Sequence, residues 1–219
     1  EGIEYFFDGP LRNKGSRIAA IRDGRGKRLY SPEGAKDSWE VDGKDITLTL
    51  DEVVQHIAEE ELAAQVVRQQ AKGGVAVVLN PFSGEILALA IYPSFDPNAY
   101  LKSNPRAWRN RAITDSLEPG STFKIIPLAA ALEEGLTSLD EQIDGEEGTL
   151  SLSRQIIVRD IHPHDRLSLE EVIAQSSNIG TIKVSRRLGK ERLYRYVRLF
   201  GFGSKTGIDL PGEAAGLVS

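Results

Sequence analysis

The stretch Glu118-Pro119-Gly120-Ser121-Thr122-Phe123-Lys124-Ile125-Ile126-Pro127-Leu128 sets a Pro-Gly turn signal directly before an apolar run. It predicts a helix that begins at Ser121, runs through Leu128 to Leu132 and ends at Gly135, with a kink at Pro127. On such a helix Ser121 and Lys124 lie about one turn apart on the same face. A serine hydroxyl is a poor nucleophile at neutral pH unless a base removes its proton. A lysine is that base when desolvation or its neighbours lower its pKa. A helix start also places unpaired N–H groups and the positive dipole end near a developing oxyanion. Ser121 is the one serine in the chain with a lysine three residues on. The pattern is nonetheless short enough to arise by chance, and a serine after Pro-Gly also reads as a plain helix cap.

Upstream of this segment, Ile46-Thr47-Leu48-Thr49-Leu50 alternates with period two and reads as a strand, and Asp51 can cap a helix to about Ala71. Val54, Ile57, Ala58, Leu62 and Val66 share a face of that helix, which Gly73 and Gly74 are expected to stop. Val75 to Leu79 and Ile86 to Tyr92 then read as a β-hairpin around the turn Asn80-Pro81-Phe82-Ser83-Gly84-Glu85. Residues 1 to about 40 are rich in Gly, Pro, Lys, Arg and Asp. They hold strand-like pieces such as Ser16 to Ile21 before the turn signal Asp23-Gly24-Arg25-Gly26, and read as a small β-rich piece.

Downstream, Thr149 to Ser153 and Gln155 to Val158 are strand candidates, and Ser168-Leu169-Glu170-Glu171 is a capping box opening a helix toward Ser176. Gly180 is expected to interrupt that helix. Thr181 to Leu188 and Glu191 to Phe200 read as later helices closed by Gly189 and Gly201, before a loop-like tail from Gly203. The class is α/β, a sheet flanked by helices.

The second element with chemistry in it is Ser176-Ser177-Asn178, 55 residues after Ser121. An S-x-N triplet accompanies S-x-x-K in serine acyl enzymes. That chemistry needs a second hydroxyl to pass a proton to the leaving amine. It also needs an amide that both donates to and accepts from a substrate backbone. Ser176 and Asn178 supply these groups. The alternative is a pair of helix-terminal residues making local backbone bonds.

Composition narrows the classes further. At 219 residues and 40% apolar the chain can bury a core. A net charge of -5 without long basic runs gives no footprint for nucleic acid or anionic lipid. The absence of cysteine removes disulfide and thiolate chemistry. No run approaches the length of a membrane span. Methionine is absent even from position 1, so Glu1 is not expected to be the native start.

Several stretches, in order, resemble the class B penicillin-binding proteins, and specifically the cell-division peptidoglycan D,D-transpeptidase type. They are Gly2-Ile3-Glu4-Tyr5, ITLTLDEVVQ from Ile46, NPFSGEILALA from Asn80, YPSFDPN from Tyr92, RNRAITDSLEPGSTFK from Arg109, RDIHPH from Arg159, SSNIGTIKV from Ser176 and GFGSKTGIDLPGE from Gly201. The resemblance implies a penicillin-binding/β-lactamase-like transpeptidase fold. Residues 1–40 would end a non-catalytic region and 41–219 would be the N-terminal part of the transpeptidase domain. It implies that Ser121 attacks the D-Ala-D-Ala bond of a peptidoglycan stem peptide, with Lys124 as base, Ser176 as proton relay and Asn178 as substrate ligand. β-Lactams would acylate the same serine. It further implies no metal or organic cofactor, a place at the outer face of the cytoplasmic membrane, and cell-division membrane proteins as partners.

The family's third element is a K-[ST]-G on an inner strand, which Lys205-Thr206-Gly207 spells 27 residues after Asn178. Its Gly- and Pro-rich setting lacks strand periodicity, so it reads as a decoy, and the true motif is expected beyond Ser219. An isolated piece of this length is then expected to be inactive. His162-Pro163-His164-Asp165 has no third ligand at metal-site spacing and no nucleophile elbow to serve. His56 reads as a surface residue, and Gly203 to Thr206 lacks the glycine a phosphate loop needs before its lysine. The rival functions are a β-lactamase or D,D-carboxypeptidase using the same dyad, and a non-catalytic penicillin-binding or division-protein interaction module.

Overall fold

The structure is a computed structural model that describes residues 2–12, 21–22, 25, 28–30 and 43–218. In chain order its elements are α1 (Ile3–Phe6), α2 (Asp8–Leu11), β1 (Ile21–Arg22), β2 (Arg28–Tyr30), α3 (Glu52–Arg68), β3 (Gly74–Leu79), β4 (Ile86–Tyr92), α4 (Arg111–Thr114) and α5 (Ile125–Glu133). There follow β5 (Gln142–Asp144), β6 (Thr149–Ser151), β7 (Ile157–Arg159), β8 (Arg166–Ser168), α6 (Leu169–Ala174) and α7 (Asn178–Leu199). Strands pair antiparallel as β1 with β2, β3 with β4, β5 with β8 and β6 with β7. Two compact units emerge: one takes the chain up to Asp115 with Ile208–Glu213, the other Ser116–Gly207 with the tail from Ala214.

In the first unit, Asp51 caps α3 as its side chain predicts, accepting from the amides of Val53 and Val54 at 3.0 Å each. The helix stops at Arg68, earlier than the glycines suggest. Gln70 takes a left-handed φ of 50° and Ala71 N–H reaches back to Val66 O. Gly74 has a different task. A Cβ there would stand 2.8 Å from Leu62 Cδ1 and 2.9 Å from Val66 Cγ2, so its bare backbone lets α3 lie down on β3. Val54, Ala58, Leu62 and Val66 turn inward, whereas Ile57 is 54% exposed and does not belong to the buried face.

The hairpin forms where expected, pairing Gly74 with Tyr92 through Val78 with Ala88, then slipping by one residue so that Leu79 meets Ile86. Ile46 to Leu50 is not a strand. Just after that stretch Asp51 N–H makes a single backbone bond to β4, at Leu87 O, with Thr49 Oγ1 on Ile86 O at 2.6 Å, and one bond cannot propagate a ladder. Gln55 covers the adjoining edge, accepting from Leu89 N–H at 2.8 Å and donating to Leu89 O at 3.2 Å. The β-rich reading of the start holds for the β1–β2 pair, while Ile3–Phe6 and Asp8–Leu11 are helical. Ser16 to Ala20 and the boundary at residue 40 lie outside the described residues.

The second unit packs α5, α6 and α7 with two strand pairs. Its core joins Leu128, Ala130 and Ala131 of α5, Ile143 of β5, Leu167 of β8, Leu169 and Val172 of α6, and Val184 and Leu188 of α7. Ser168 and Glu171 form the expected capping box, each side chain meeting the other's backbone N–H. Ser121 does not start an α-helix. Gly120–Lys124 is a 3₁₀ turn and α winding begins only at Ile125. The change of winding therefore precedes Pro127, which as the third residue of α5 has no i−4 bond to lose, and no proline kink arises.

The break before α7 falls at Ser176, whose φ is 55°, and not at Gly180. Gly180 lies buried inside α7. A Cβ on it would stand 2.5 Å and 3.0 Å from the two Val172 methyls and 3.2 Å from Ser177 Oγ. Gly180→Ala should therefore cost about 1–3 kcal/mol by overpacking the α6–α7 contact, read as a lower urea midpoint. A variant as stable as the parent would show that this contact yields freely. Gly189, with φ 72°, interrupts α7 where the sequence suggests. The segment from Gly203 is irregular, and Lys205-Thr206-Gly207 forms no strand.

Candidate active site

The 3₁₀ turn Gly120–Lys124 brings Ser121 and Lys124 onto one side, because three residues make one 3₁₀ turn and side chains at i and i+3 eclipse. Ser121 is exposed, and among the described residues its hydroxyl makes no side-chain hydrogen bond. Lys124 is half-buried and reaches across 52 residues of sequence to the S-x-N segment, where Nζ donates to Ser176 Oγ at 3.0 Å. It also donates to the Ser176 carbonyl. Burial pushes the Lys124 pKa below the ordinary lysine value by penalising the ammonium, and the negative charge of Asp160 pulls partly the other way.

Ser176 occupies the bend between α6 and α7. Its left-handed backbone is uncommon for a residue with a Cβ, and it directs both carbonyl and hydroxyl toward Lys124. Ser177, 1% exposed, caps α7 by accepting from Gly180 N–H at 2.9 Å. Asn178 opens α7 half-buried, its Nδ2 donating to Arg159 O at 2.9 Å. The structure thus unites Lys124, Ser176 and Asn178 around one bend, with Ser121 one turn before Lys124.

Asp160 is the residue that sequence reasoning leaves without a role. It follows β7, accepts from Ser177 Oγ at 2.5 Å through one carboxylate oxygen, and accepts from Asn178 N–H at 2.5 Å and Ile179 N–H at 3.2 Å through the other. Its separation of 17 to 19 residues from these partners matches no local motif. The only signal is an acidic residue in the RDIHPH stretch. Among the described residues no group of three His, Asp or Glu side chains has metal-holding geometry, and His56 is a surface residue beside Glu60.

The family described as Penicillin binding protein transpeptidase domain matches residues 74–219, which include every residue of this constellation. The chain belongs to that family. It is 38% identical over 218 residues to the probable peptidoglycan D,D-transpeptidase PenA of Neisseria meningitidis serogroup A, covering 100% of this chain and 37% of that protein. Stage V sporulation protein D of Bacillus subtilis is 38% identical over 220 residues, with 99% of this chain and 34% of that protein covered. The chain therefore spans a little over a third of the length of these relatives. Among solved structures, the TP domain of Burkholderia pseudomallei penicillin-binding protein 3 aligns with TM-score 0.67 and 30% identity, over 78% of this chain and 47% of that one. A peptidoglycan glycosyltransferase from Burkholderia ambifaria aligns with TM-score 0.70 and 30% identity over 79% and 50%. The fold is the α/β fold of penicillin-binding transpeptidase domains. Among the described residues no helix is long and apolar enough to cross a membrane.

Proposed function

We propose that this chain carries the acylated serine of a peptidoglycan D,D-transpeptidase. The observation that carries the reading is the contact between Lys124 Nζ and Ser176 Oγ at 3.0 Å, which joins two motifs 52 residues apart into one proton-transfer path beside Ser121. Ser121 Oγ attacks the carbonyl carbon between the two D-Ala residues of a stem peptide, and its proton passes to Lys124. As the tetrahedral intermediate collapses, the C–N bond breaks and the departing D-Ala amine takes a proton through Ser176. An amine from a second stem then attacks the ester carbonyl, Ser121 leaves with the proton, and a new amide cross-links the two stems. Asn178 has the amide to hold the donor backbone.

A β-lactam ring mimics the scissile amide, so it acylates the same serine. The relatedness to PenA supports peptidoglycan as substrate and the cell envelope as the place of action. The finer reading is a septal enzyme at the outer face of the cytoplasmic membrane, working with cell-division membrane proteins. Residues 41–219 belong to its transpeptidase domain and 1–40 to a preceding non-catalytic region.

The test is to treat the full-length protein with a fluorescent penicillin and locate the adduct by peptide mass spectrometry. The expected adduct sits on the peptide containing Ser121 and persists after free penicillin is removed. An adduct elsewhere, or none, overturns the reading. Rapid hydrolysis of the adduct replaces it with that of a β-lactamase or carboxypeptidase.

A further inference from the structure

We infer that Asp160 is a positioning residue of this site, whose carboxylate ties the bend carrying Ser176 and Asn178 to the end of β7 and fixes where both side chains meet the substrate. The inference rests on the acyl-transfer reading above. Both Asp160 oxygens are used: one takes the hydroxyl proton of Ser177, the other the N–H groups of Asn178 and Ile179. These amides are the first two of α7 and have no partner within the helix, and a carboxylate at that end also complements the helix dipole. The neighbouring Arg159 carbonyl accepts from Asn178 Nδ2 at 2.9 Å, so the two consecutive residues Arg159 and Asp160 hold backbone and side chain of Asn178 together.

A plain helix cap would serve stability alone, and α7 already has one in Ser177. Two features point past that. The bend held by Asp160 contains Ser176 in a left-handed conformation, which persists only where surrounding contacts enforce it. The same carboxylate also acts electrostatically on Lys124, favouring its protonated form against the effect of burial. Releasing the bend displaces Ser176 and Asn178, and removing the charge changes the amine that Ser176 touches.

The experiment compares Asp160→Ala, Asp160→Asn and the parent in the full-length protein, with rates taken per folded molecule. Asp160→Ala should slow acylation by a fluorescent penicillin about ten- to a hundredfold, the scale of a misplaced reacting group. Asp160→Asn keeps one acceptor oxygen for the Asn178 and Ile179 amides and should lose less. With the negative charge gone, Lys124 gives up its proton more readily, so the acid limb of the rate profile should move to lower pH in Asp160→Asn. A residue acting only on stability leaves that limb in place.

Hydrogen exchange at the Asn178 and Ile179 amides reads the positioning without any label, and their protection should fall in Asp160→Ala. Unchanged protection, or parental rates in both variants with an unmoved limb, overturns the inference. A parent that takes no label at Ser121 defeats the acyl-transfer reading instead, and the exchange result still decides whether Asp160 holds the bend.

Discussion

Lys124→Ala should slow acylation of Ser121 by about a hundred- to ten-thousandfold, the usual worth of a positioned general base. Ser121→Ala, which has no atom to acylate, marks the floor. Lys124→Arg separates the two services lysine could perform: it keeps the positive charge but cannot lose its proton at accessible pH. If the amine is the base, Lys124→Arg falls with Lys124→Ala; if charge alone matters, it stays near the parent. Burial already favours the neutral amine of Lys124, with Asp160 opposing it. The rate should therefore rise with pH as Lys124 deprotonates, with a midpoint below that of an ordinary lysine. Timed quenching with a fluorescent penicillin from neutral to alkaline pH measures it. A parental rate in Lys124→Arg would remove the base from the mechanism.

Leu128→Ala should cost about 2–5 kcal/mol of folding stability. Leu128 is fully buried on α5, one turn after Lys124, in the cluster that also holds Val172 and Val184. Truncation there opens a cavity beneath the segment that carries the lysine, and the surrounding helices close it only in part. Urea unfolding followed by circular dichroism reads the loss. Ile57→Ala is the matching control, because Ile57 is 54% exposed and should change stability by no more than about 0.5 kcal/mol. Equal costs at the two positions would contradict the core assignment.

Much of this fold is written in local signals. The Asp51 cap, the hairpin around Asn80-Pro81-Phe82-Ser83-Gly84-Glu85 and the Ser168/Glu171 capping box all come from contacts within a few residues. Sequence reasoning fails where a nonlocal contact overrides the local one. Gly180 reads as a helix breaker, yet Val172 from another helix requires the missing Cβ. Ile46 to Leu50 alternates like a strand, yet β4 meets that stretch through side chains as much as backbone. The spacing of Ser121 and Lys124 suits either helix type, so their place on one side is legible in the sequence while the 3₁₀ winding is not. Lys205-Thr206-Gly207 shows the converse: three letters of a motif expected on a strand, in a segment that forms none. Asp160 stays out of reach because its three hydrogen-bond partners lie 17 to 19 residues away in sequence.

The bond from Lys124 to Ser176 also makes the chemistry a reporter of folding. Bringing two points 52 residues apart together costs roughly 3–4 kcal/mol of chain entropy before any contact compensates it. The packing of α5 on α7 supplies that compensation, so the lysine gains its partner only when the helices have docked. Contacts of such sequence separation form slowly relative to local turns. In the full-length protein, competence to react with penicillin should therefore appear late in refolding, after most helical signal has returned, and no chain should take the label before its second unit is complete.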